Sequence, residues 1–288
     1  MSQAALRVLH GEMGEPELHA LGAGEVALFS AGSPGRSGNE DAVSALPFED
    51  GAWVLAVADG MGGERAGARA AELAIESLEA SLAEARREGW MLRTAILNGF
   101  ERGHRAIREL GLGAGTTLAA VEVAGGAIRP YHVGDSAILL IGQRGKLKLQ
   151  TVSHSPVGFA VEAGWIDEGE AMQHAQRHLV SNVLGAPDMR IEVGSQRQLA
   201  PRDTLLLASD GLYDNLLTDE IVALMRSGPL AAASARLADL ARTRMHAPAA
   251  GEPSKPDDLS FVAFRPTRPS EARGDARSSR SRPASLAR

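Results

Sequence analysis

Acidic residues recur where apolar segments of this sequence begin or end. Two apolar runs lead directly into Asp59-Gly60 and Asp210-Gly211, a third leads into Gly134-Asp135, and the pairs Glu40-Asp41 and Asp257-Asp258 flank two more. A single Asp-Gly pair is typical of a turn. Five acidic positions of this kind favour a shared site instead, because buried unpaired carboxylates are strongly unfavourable. Carboxylate oxygens without His or Cys companions suit magnesium or manganese.

The apolar pattern predicts the elements that position these residues. Continuous apolar runs at 52–58 and 204–209 are typical of strands buried on both faces, and Gly125-Gly126 predicts a hairpin. Residues 164–177 are rich in Glu, Ala and Gln and predict a helix. Further strands are expected at 26–30, 116–123, 127–133, 137–141, 146–152 and 259–264, and helices at 66–86, 91–110, 218–225 and 231–245. This order predicts an α+β fold rather than a regular βαβ repeat.

Composition excludes several classes of function. The chain has 288 residues, 44% hydrophobic and 4% aromatic, with no cysteine and a net charge of −6. Disulfides and a thiol nucleophile are thereby excluded, and a reducing, cytoplasmic location is expected. The mild acidity argues against nucleic-acid binding. No apolar run reaches the roughly 18 residues of a membrane span, and we expect a monomer.

Charge divides the chain into three parts. Residues 265–288 hold seven Arg against two acidic residues and almost no large apolar side chain, which leaves −11 for the rest. Such a composition predicts a disordered basic tail, with weak docking to an anionic partner as the alternative to no role. Residues 1–24 show no clear periodicity and are expected to be a lead-in. The folded body is expected at 25–264 as one domain.

Eight segments in order resemble the PPM family of metal-dependent Ser/Thr protein phosphatases, the type 2C phosphatases, in its bacterial form. They span nearly the whole body. The matching segments are 36–41 (RSGNED), 57–63 (VADGMGG), 115–118 (GTTL), 132–136 (HVGDS), 154–155 (HS), 177–185 (RHLVSNVLG), 207–214 (LASDGLYD) and 255–260 (KPDDLS), with Asp59-Gly60-Met61 inside the second.

The resemblance implies a four-layer αββα sandwich, in which two antiparallel sheets are flanked by helices. It also implies two to three divalent cations, manganese or magnesium, in a channel at the edge of the sheets. By this resemblance Asp59 bridges two ions, the carbonyl of Gly60 ligates one, and Asp210 and Asp257 complete the other. Asp257 matches the family ligand, because Asp258 stands where the family usually has Asn.

The remaining site residues also follow from the resemblance. Asp41 is expected as a metal ligand or as the group that orients metal-bound water, with Glu40 behind it. Asp135 and Asp214 are expected at a third, weaker ion. Arg36 matches the arginine that binds the substrate phosphate, and its planar fork suits phosphoryl oxygens. Arg36, Asp41 and Asp59 are thus the expected catalytic residues.

The implied reaction is hydrolysis of phosphoserine and phosphothreonine by direct attack of a metal-bridging hydroxide. Phosphorylated proteins and a cognate Ser/Thr kinase are the expected partners. A non-catalytic phosphoprotein-binding pseudophosphatase and a small-phosphoester hydrolase remain alternatives. Met61 stands where many eukaryotic relatives carry His, so a metal-bound water is the expected acid for the leaving group. Ala137 and Ser153 also depart from the family pattern.

Overall fold

A computed structural model describes residues 4–267 of the chain. Its fourteen strands are β1 (Leu6–Leu9), β2 (Glu17–Leu21), β3 (Gly24–Ala31), β4 (Asp41–Pro47), β5 (Trp53–Met61), β6 (Gly115–Thr116), β7 (Leu118–Ala124), β8 (Ala127–Val133), β9 (Ala137–Ile141), β10 (Leu147–Gln150), β11 (Glu192–Val193), β12 (Arg197–Gln198), β13 (Thr204–Ala208) and β14 (Leu259–Pro266). Its seven α-helices are α1 (Glu64–Glu88), α2 (Leu92–Glu109), α3 (Pro156–Glu162), α4 (Glu168–Gln173), α5 (Asp210–Tyr213), α6 (Thr218–Met225) and α7 (Leu230–His246).

The strands form two antiparallel sheets. The first has the order β1-β4-β5-β7-β8-β11, with β6 and β12 attached to β5 and β8. The second has the order β10-β9-β13-β14-β3-β2. Aliphatic side chains from both sheets, such as Val57 and Leu207, form a core between them. This pairing confirms the expected antiparallel sandwich.

Helices cover both outer faces of the sandwich. Residues of α1 and α2, including Leu78 and Phe100, pack on the first sheet. Residues of α6 and α7, including Ile221 and Leu237, pack on the second. Three apolar layers therefore separate four layers of secondary structure, and the α+β, four-layer αββα arrangement is confirmed.

Local sequence signals explain the best-predicted elements. The β7–β8 hairpin turns at Gly125 and Gly126, whose φ angles of 57° and 75° suit the left-handed turn that glycine favours. Strands β8 and β9 have the expected bounds, as does α6. Strand β5 was expected to end at residue 58 but continues to Met61, because Gly60 and Met61 pair with β6.

The predicted helix at 164–177 is correct only over 168–173. Two short helices, α3 and α4, lie there and just before it. Gly164 adopts a φ of 69° after α3, which ends the helical path. Asp167 then starts α4 with a capping box, in which its side chain accepts from the Glu170 N–H and the Glu170 side chain accepts from the Asp167 N–H. Helix α4 ends at Gln173, because His174 is extended.

The N-terminal residues form strands that the sequence did not predict, whereas most of the predicted C-terminal tail is not described. Strand β1 pairs with β4 and strand β2 pairs with β3. Residues in the expected lead-in 1–24 thus add a strand to each sheet. The sequence pattern did not predict these strands. At the other end β14 runs to Pro266, and the predicted basic tail falls almost entirely on residues 268–288, which lie outside the described residues.

Candidate metal centre

Asp41 and Asp59 lie side by side on adjacent strands of the first sheet. Asp41 opens β4 and is the direct partner of Asp59 on β5. The Asp41 side chain is fully buried, and its Oδ2 accepts a hydrogen bond of 2.8 Å from the Ser209 hydroxyl. Its Oδ1 is buried too, and among residues 4–267 nothing donates a hydrogen bond to it. A buried carboxylate oxygen without a donor is suited to bind a cation.

The backbone around Asp59 is held by two threonines that sequence reasoning assigned no role. The Asp59 N–H donates to the Thr117 hydroxyl over 3.1 Å, and the Thr116 hydroxyl donates to the Asp59 carbonyl over 2.8 Å. The Thr117 hydroxyl also shares a hydrogen bond of 2.7 Å with that of Ser136. Because Ser136 directly follows Asp135, this network ties the Asp59 and Asp135 loops together.

Close backbone packing beside Asp59 requires glycine. The Gly60 N–H donates to the Glu40 carbonyl over 3.2 Å. A Cβ added at Gly60 would lie 2.2 Å from the Gly67 carbonyl oxygen and 2.7 Å from that of Glu40, and neither can move aside easily. The first turn of α1 is therefore pressed against the Glu40–Gly60 contact.

Asp210, Asp214 and Asp257 converge from the second sheet. Asp210 begins α5 directly after β13, Asp214 follows one turn later, and Asp257 precedes β14. The ammonium group of Lys255 lies among their carboxylates, 2.8 Å from Asp210 Oδ2, 2.6 Å from Asp214 Oδ2 and 3.0 Å from Asp257 Oδ2. Lys255 begins the motif at 255–260, but the sequence alone predicted no role for it.

Asp258 has a different task from its neighbour Asp257. Its two carboxylate oxygens each accept a backbone N–H over 2.7 Å, from Ser33 and from Glu40. These hydrogen bonds fasten the β3–β4 loop, which carries Arg36, to the start of β14. Both Asp258 oxygens are thus held by backbone N–H groups, whereas one Asp257 oxygen accepts the Asp258 N–H over 3.0 Å and the other lies 3.0 Å from the Lys255 ammonium.

An open cleft of about 590 Å³ unites most of the predicted site residues. Arg36 is exposed at its edge, and Asp41 lies buried beneath it. Asp214 lines an adjoining cavity of about 270 Å³, which shares Asp135 and Asp210 with the cleft. The predicted residues that line the cleft are Arg36, Glu40, Asp59, Gly60, Asp135, Asp210 and Asp257.

Burial and mutual repulsion shift the pKa values of these carboxyl groups upward. Burial is the main cause at Asp59, whose pKa is raised well above its ordinary value. Repulsion adds to this shift and comes from four aspartates around it, Asp41, Asp210, Asp135 and Asp257. Burial, and then the charge of Asp210, raise the pKa of Asp135 to about 7. The centre is thus short of positive charge, which divalent cations would supply.

A histidine pair supports the Asp135 loop from behind. The rings of His132 and His154 stack with centroids 4.4 Å apart. Nδ1 of His154 accepts from the Gly134 N–H over 3.0 Å, and its Nε2 lies 3.1 Å from Glu192 Oε2. His132, His154 and Glu192 have possible ligand atoms within 4.8 Å of one another. The hydrogen bonds to the backbone of Gly134 and Val152 favour a supporting role for both rings.

Comparison with known proteins decides the family. A profile described as Protein phosphatase 2C matches residues 35–246. The chain belongs to the protein phosphatase 2C family. It is 33% identical over 201 residues to the serine/threonine phosphatase stp of Listeria monocytogenes, covering 67% of this chain and 79% of that protein. It is 36% identical over 213 residues to PstP of Mycobacterium tuberculosis, covering 72% of this chain and 40% of that protein.

Solved structures of protein phosphatase 2C relatives share the fold. The S. agalactiae serine/threonine phosphatase superposes with a TM-score of 0.72 at 30% identity, covering 84% of this chain and 99% of that one. The catalytic domain of PstP in complex with two manganese ions gives a TM-score of 0.64 at 28% identity, covering 83% and 96%. The chain is therefore a bacterial-type serine/threonine protein phosphatase, a hydrolase. Within residues 4–267, every helix is too short or too polar to cross a membrane.

Proposed function

We propose that this protein phosphatase 2C chain hydrolyses phosphoserine and phosphothreonine in proteins by a reaction that depends on two or more divalent cations. The observation that supports this best is the convergence of Asp59, Asp210 and Asp257 from both sheets in one cleft whose edge carries Arg36. The donor set is oxygen only, which fits manganese or magnesium. The unpaired, buried Oδ1 of Asp41 fits the same need.

In this proposal the cleft residues hold the ions in distinct ways. Asp59, the carbonyl of Gly60 at the tightly packed end of β5, Asp210 and Asp257 would hold two ions, with Asp59 shared by both. Asp41 and Glu40, which lie behind Asp59, would orient water toward the ions. Asp135 and Asp214, which the sequence predicted at a third ion, approach Asp210 from neighbouring loops.

Bound divalent ions supply Lewis-acid chemistry: they activate water for in-line attack on phosphorus and stabilise the charge on the transferred phosphoryl group. The chain's own contribution is to orient the substrate. Arg36 is exposed at the cleft edge, where its fork can donate two hydrogen bonds to phosphoryl oxygens. Met61 has no titratable group, so the leaving alkoxide takes its proton from water rather than from this position. No thiol nucleophile competes, because the chain has no cysteine.

Phosphorylated cytoplasmic proteins and the Ser/Thr kinase that modifies them are the proposed partners. A phosphoprotein lying across the cleft edge would place its phosphate between Arg36 and the aspartates. The cleft is open, so a peptide segment can enter without a lid having to move.

The decisive experiment measures phosphate release from a phosphothreonine peptide with the metal-stripped chain. We expect no release in excess chelator and recovery on adding Mn²⁺ or Mg²⁺. Full activity in chelator would contradict the metal-dependent proposal. Tight peptide binding without turnover would favour a pseudophosphatase. Faster turnover of small phosphoesters than of phosphopeptides would favour a small-phosphoester hydrolase. Asp188→Asn, on an exposed loop, is the matched control and should behave like the unchanged chain.

A further inference from the structure

Lysine is scarce in this chain, yet one lysine lies at its most acidic point. Of the 30 basic residues, only Lys146, Lys148 and Lys255 are lysines. Lys146 is exposed, and Lys148 pairs with Asp203 at the edge of the second sheet. Lys255 alone contacts three carboxylates at once, with a side chain that is only 20% exposed. Such a placement calls for a specific explanation.

The backbone of Lys255 is fixed by a buried asparagine. Asn215 is fully buried, and its Oδ1 accepts the Lys255 N–H over 2.9 Å. Its Nδ2 donates to the Lys255 carbonyl over 2.9 Å and to the Gly211 carbonyl over 2.8 Å. The Asn215 backbone carbonyl in turn accepts from Arg244. Lys255 therefore starts from a defined position beside α5, and its side chain has a short path to the carboxylates.

The Lys255 ammonium group is surrounded by carboxylate oxygens, as a small bound cation would be. It carries three donors, and three carboxylate oxygens lie within 3.0 Å of its nitrogen. An ammonium is a compact point charge, unlike the planar fork of arginine. Burial alone would lower the pKa of Lys255, but the charges of Asp210, Asp214 and Asp257 raise it overall.

The opposite side of the cleft has no such internal cation. Asp41 and Asp59 form no ion pair with Lys, Arg or His anywhere in residues 4–267. Their only nearby charges described by the structure are other aspartates. Among residues 4–267, the only basic side chain that forms ion pairs with the cleft aspartates is therefore Lys255, on the Asp210–Asp214 side.

We propose that the Lys255 ammonium takes the place of a third divalent cation between Asp210 and Asp214, so that this phosphatase binds two ions rather than three. This inference rests on the proposed function for the remaining two ions. Asp135 then faces a neighbouring ammonium, not a metal. Lys255 acts as a positioning residue: it holds the carboxylates of Asp210, Asp214 and Asp257 in place without contacting substrate.

The test counts Mn²⁺ ions per chain by electron paramagnetic resonance, comparing the unchanged protein with Lys255→Met and with Lys146→Met as the control. We expect two ions for the unchanged protein and the control, and one additional, weaker ion for Lys255→Met. A second variant that combines Lys255→Met with Asp214→Asn should return the count to two. It also shows whether the extra ion uses the α5 carboxylates.

The outcomes separate this inference from the proposed function. Three ions on the unchanged protein, or the same count with and without Lys255, would overturn the role of Lys255 while leaving metal-dependent hydrolysis intact. Failure of every form to bind Mn²⁺ would overturn both. Circular dichroism confirms that each variant is folded before ions are counted.

Discussion

The two sides of the acidic cleft both contain buried carboxylates, but they differ in whether the chain supplies a positive charge to balance them. On the β4–β5 side, Asp41 and Asp59 are held between apolar strands, and one buried oxygen of Asp41 has no donor among the described residues. On the β13–β14 side, the three carboxylates of Asp210, Asp214 and Asp257 share the Lys255 ammonium. The described residues supply no ion-pair partner on the first side, whereas Lys255 supplies one on the second.

This difference separates the roles of the two basic residues at the cleft. Arg36 is exposed at its edge, and the structure shows it near Asp258, whose pKa its charge lowers against a larger effect of burial. Lys255 is bound to protein carboxylates and is not available to a substrate. In the proposed function, an arginine thus serves phosphate recognition and a lysine serves charge compensation.

The largest effect is expected at Asp59, the centre of the side without an internal cation. Asp59→Asn should lower kcat/KM on a phosphothreonine peptide by about 1,000-fold or more, because the proposed bridge between two ions is worth several kcal/mol of transition-state stabilisation. Steady-state assays at saturating Mn²⁺ measure it, with Asp188→Asn as the control. A loss of less than tenfold would show that Asp59 is not the bridging group.

Arg36 tests whether the exposed cation serves the substrate. Arg36→Ala removes charged hydrogen bonds to phosphate, so kcat/KM should fall roughly 10- to 100-fold. Arg36→Lys should recover only part of this, since it restores the charge without the fork. Arg87→Ala, on the exposed end of α1, is the control. Equal activity for the Ala and Lys forms would indicate that geometry, not charge, carries the whole effect, and unchanged activity in Arg36→Ala would contradict the assignment.

Substitutions on the β4–β5 and β13–β14 sides should change the stability of the metal-free protein in opposite directions. In chelator, Asp41→Asn should raise Tm, because it removes a buried charge without a counter-ion. Lys255→Met should lower Tm, because it leaves three carboxylates without theirs. We expect about 1–3 kcal/mol in each direction. Thermal denaturation followed by circular dichroism measures both, and Mn²⁺ should reduce the deficit of Lys255→Met. Shifts of the same sign would contradict the division of charge described above.

The sequence predicted those parts of the fold and site that follow from local pattern. Strands such as β8 and β9 have clear apolar runs and glycine turns, and their bounds were correct. The Asp residues of the cleft were found because each stands at the end of such a run. The helix predicted at 164–177 was too long, because the helix-favouring composition was given more weight than the break at Gly164 and the N-cap signal at Asp167. Strands β1 and β2 depend on pairing with distant partners, which no local pattern records.

Lys255 shows why part of the site escaped prediction. Its contacts join residues some 40 positions apart, Asp210 and Asp214 on one side and Lys255 on the other. The sequence held one usable signal, a rare lysine two residues before Asp257, but it did not show which carboxylates the side chain contacts. Likewise the Thr117–Ser136 hydrogen bond depends on how β7 and the β8–β9 loop meet. Such relations are set by packing.

Asp135, which borders both the cleft and the adjoining cavity, gives the smallest expected effect. Burial and the charge of Asp210 raise its pKa from 3.8 to about 7, so the folded metal-free chain binds this proton more tightly than the unfolded chain. Its contribution to stability is therefore present below pH 4 and is lost as the pH rises toward 7. Asp135→Asn should flatten the fall in Tm between pH 5 and pH 8 in chelator by about 1 kcal/mol, or roughly 2–4 °C. If Asp135→Asn and the control Asp188→Asn show the same slope, the Asp135 carboxyl is not held protonated by its surroundings, and the shortage of positive charge is confined to Asp41 and Asp59.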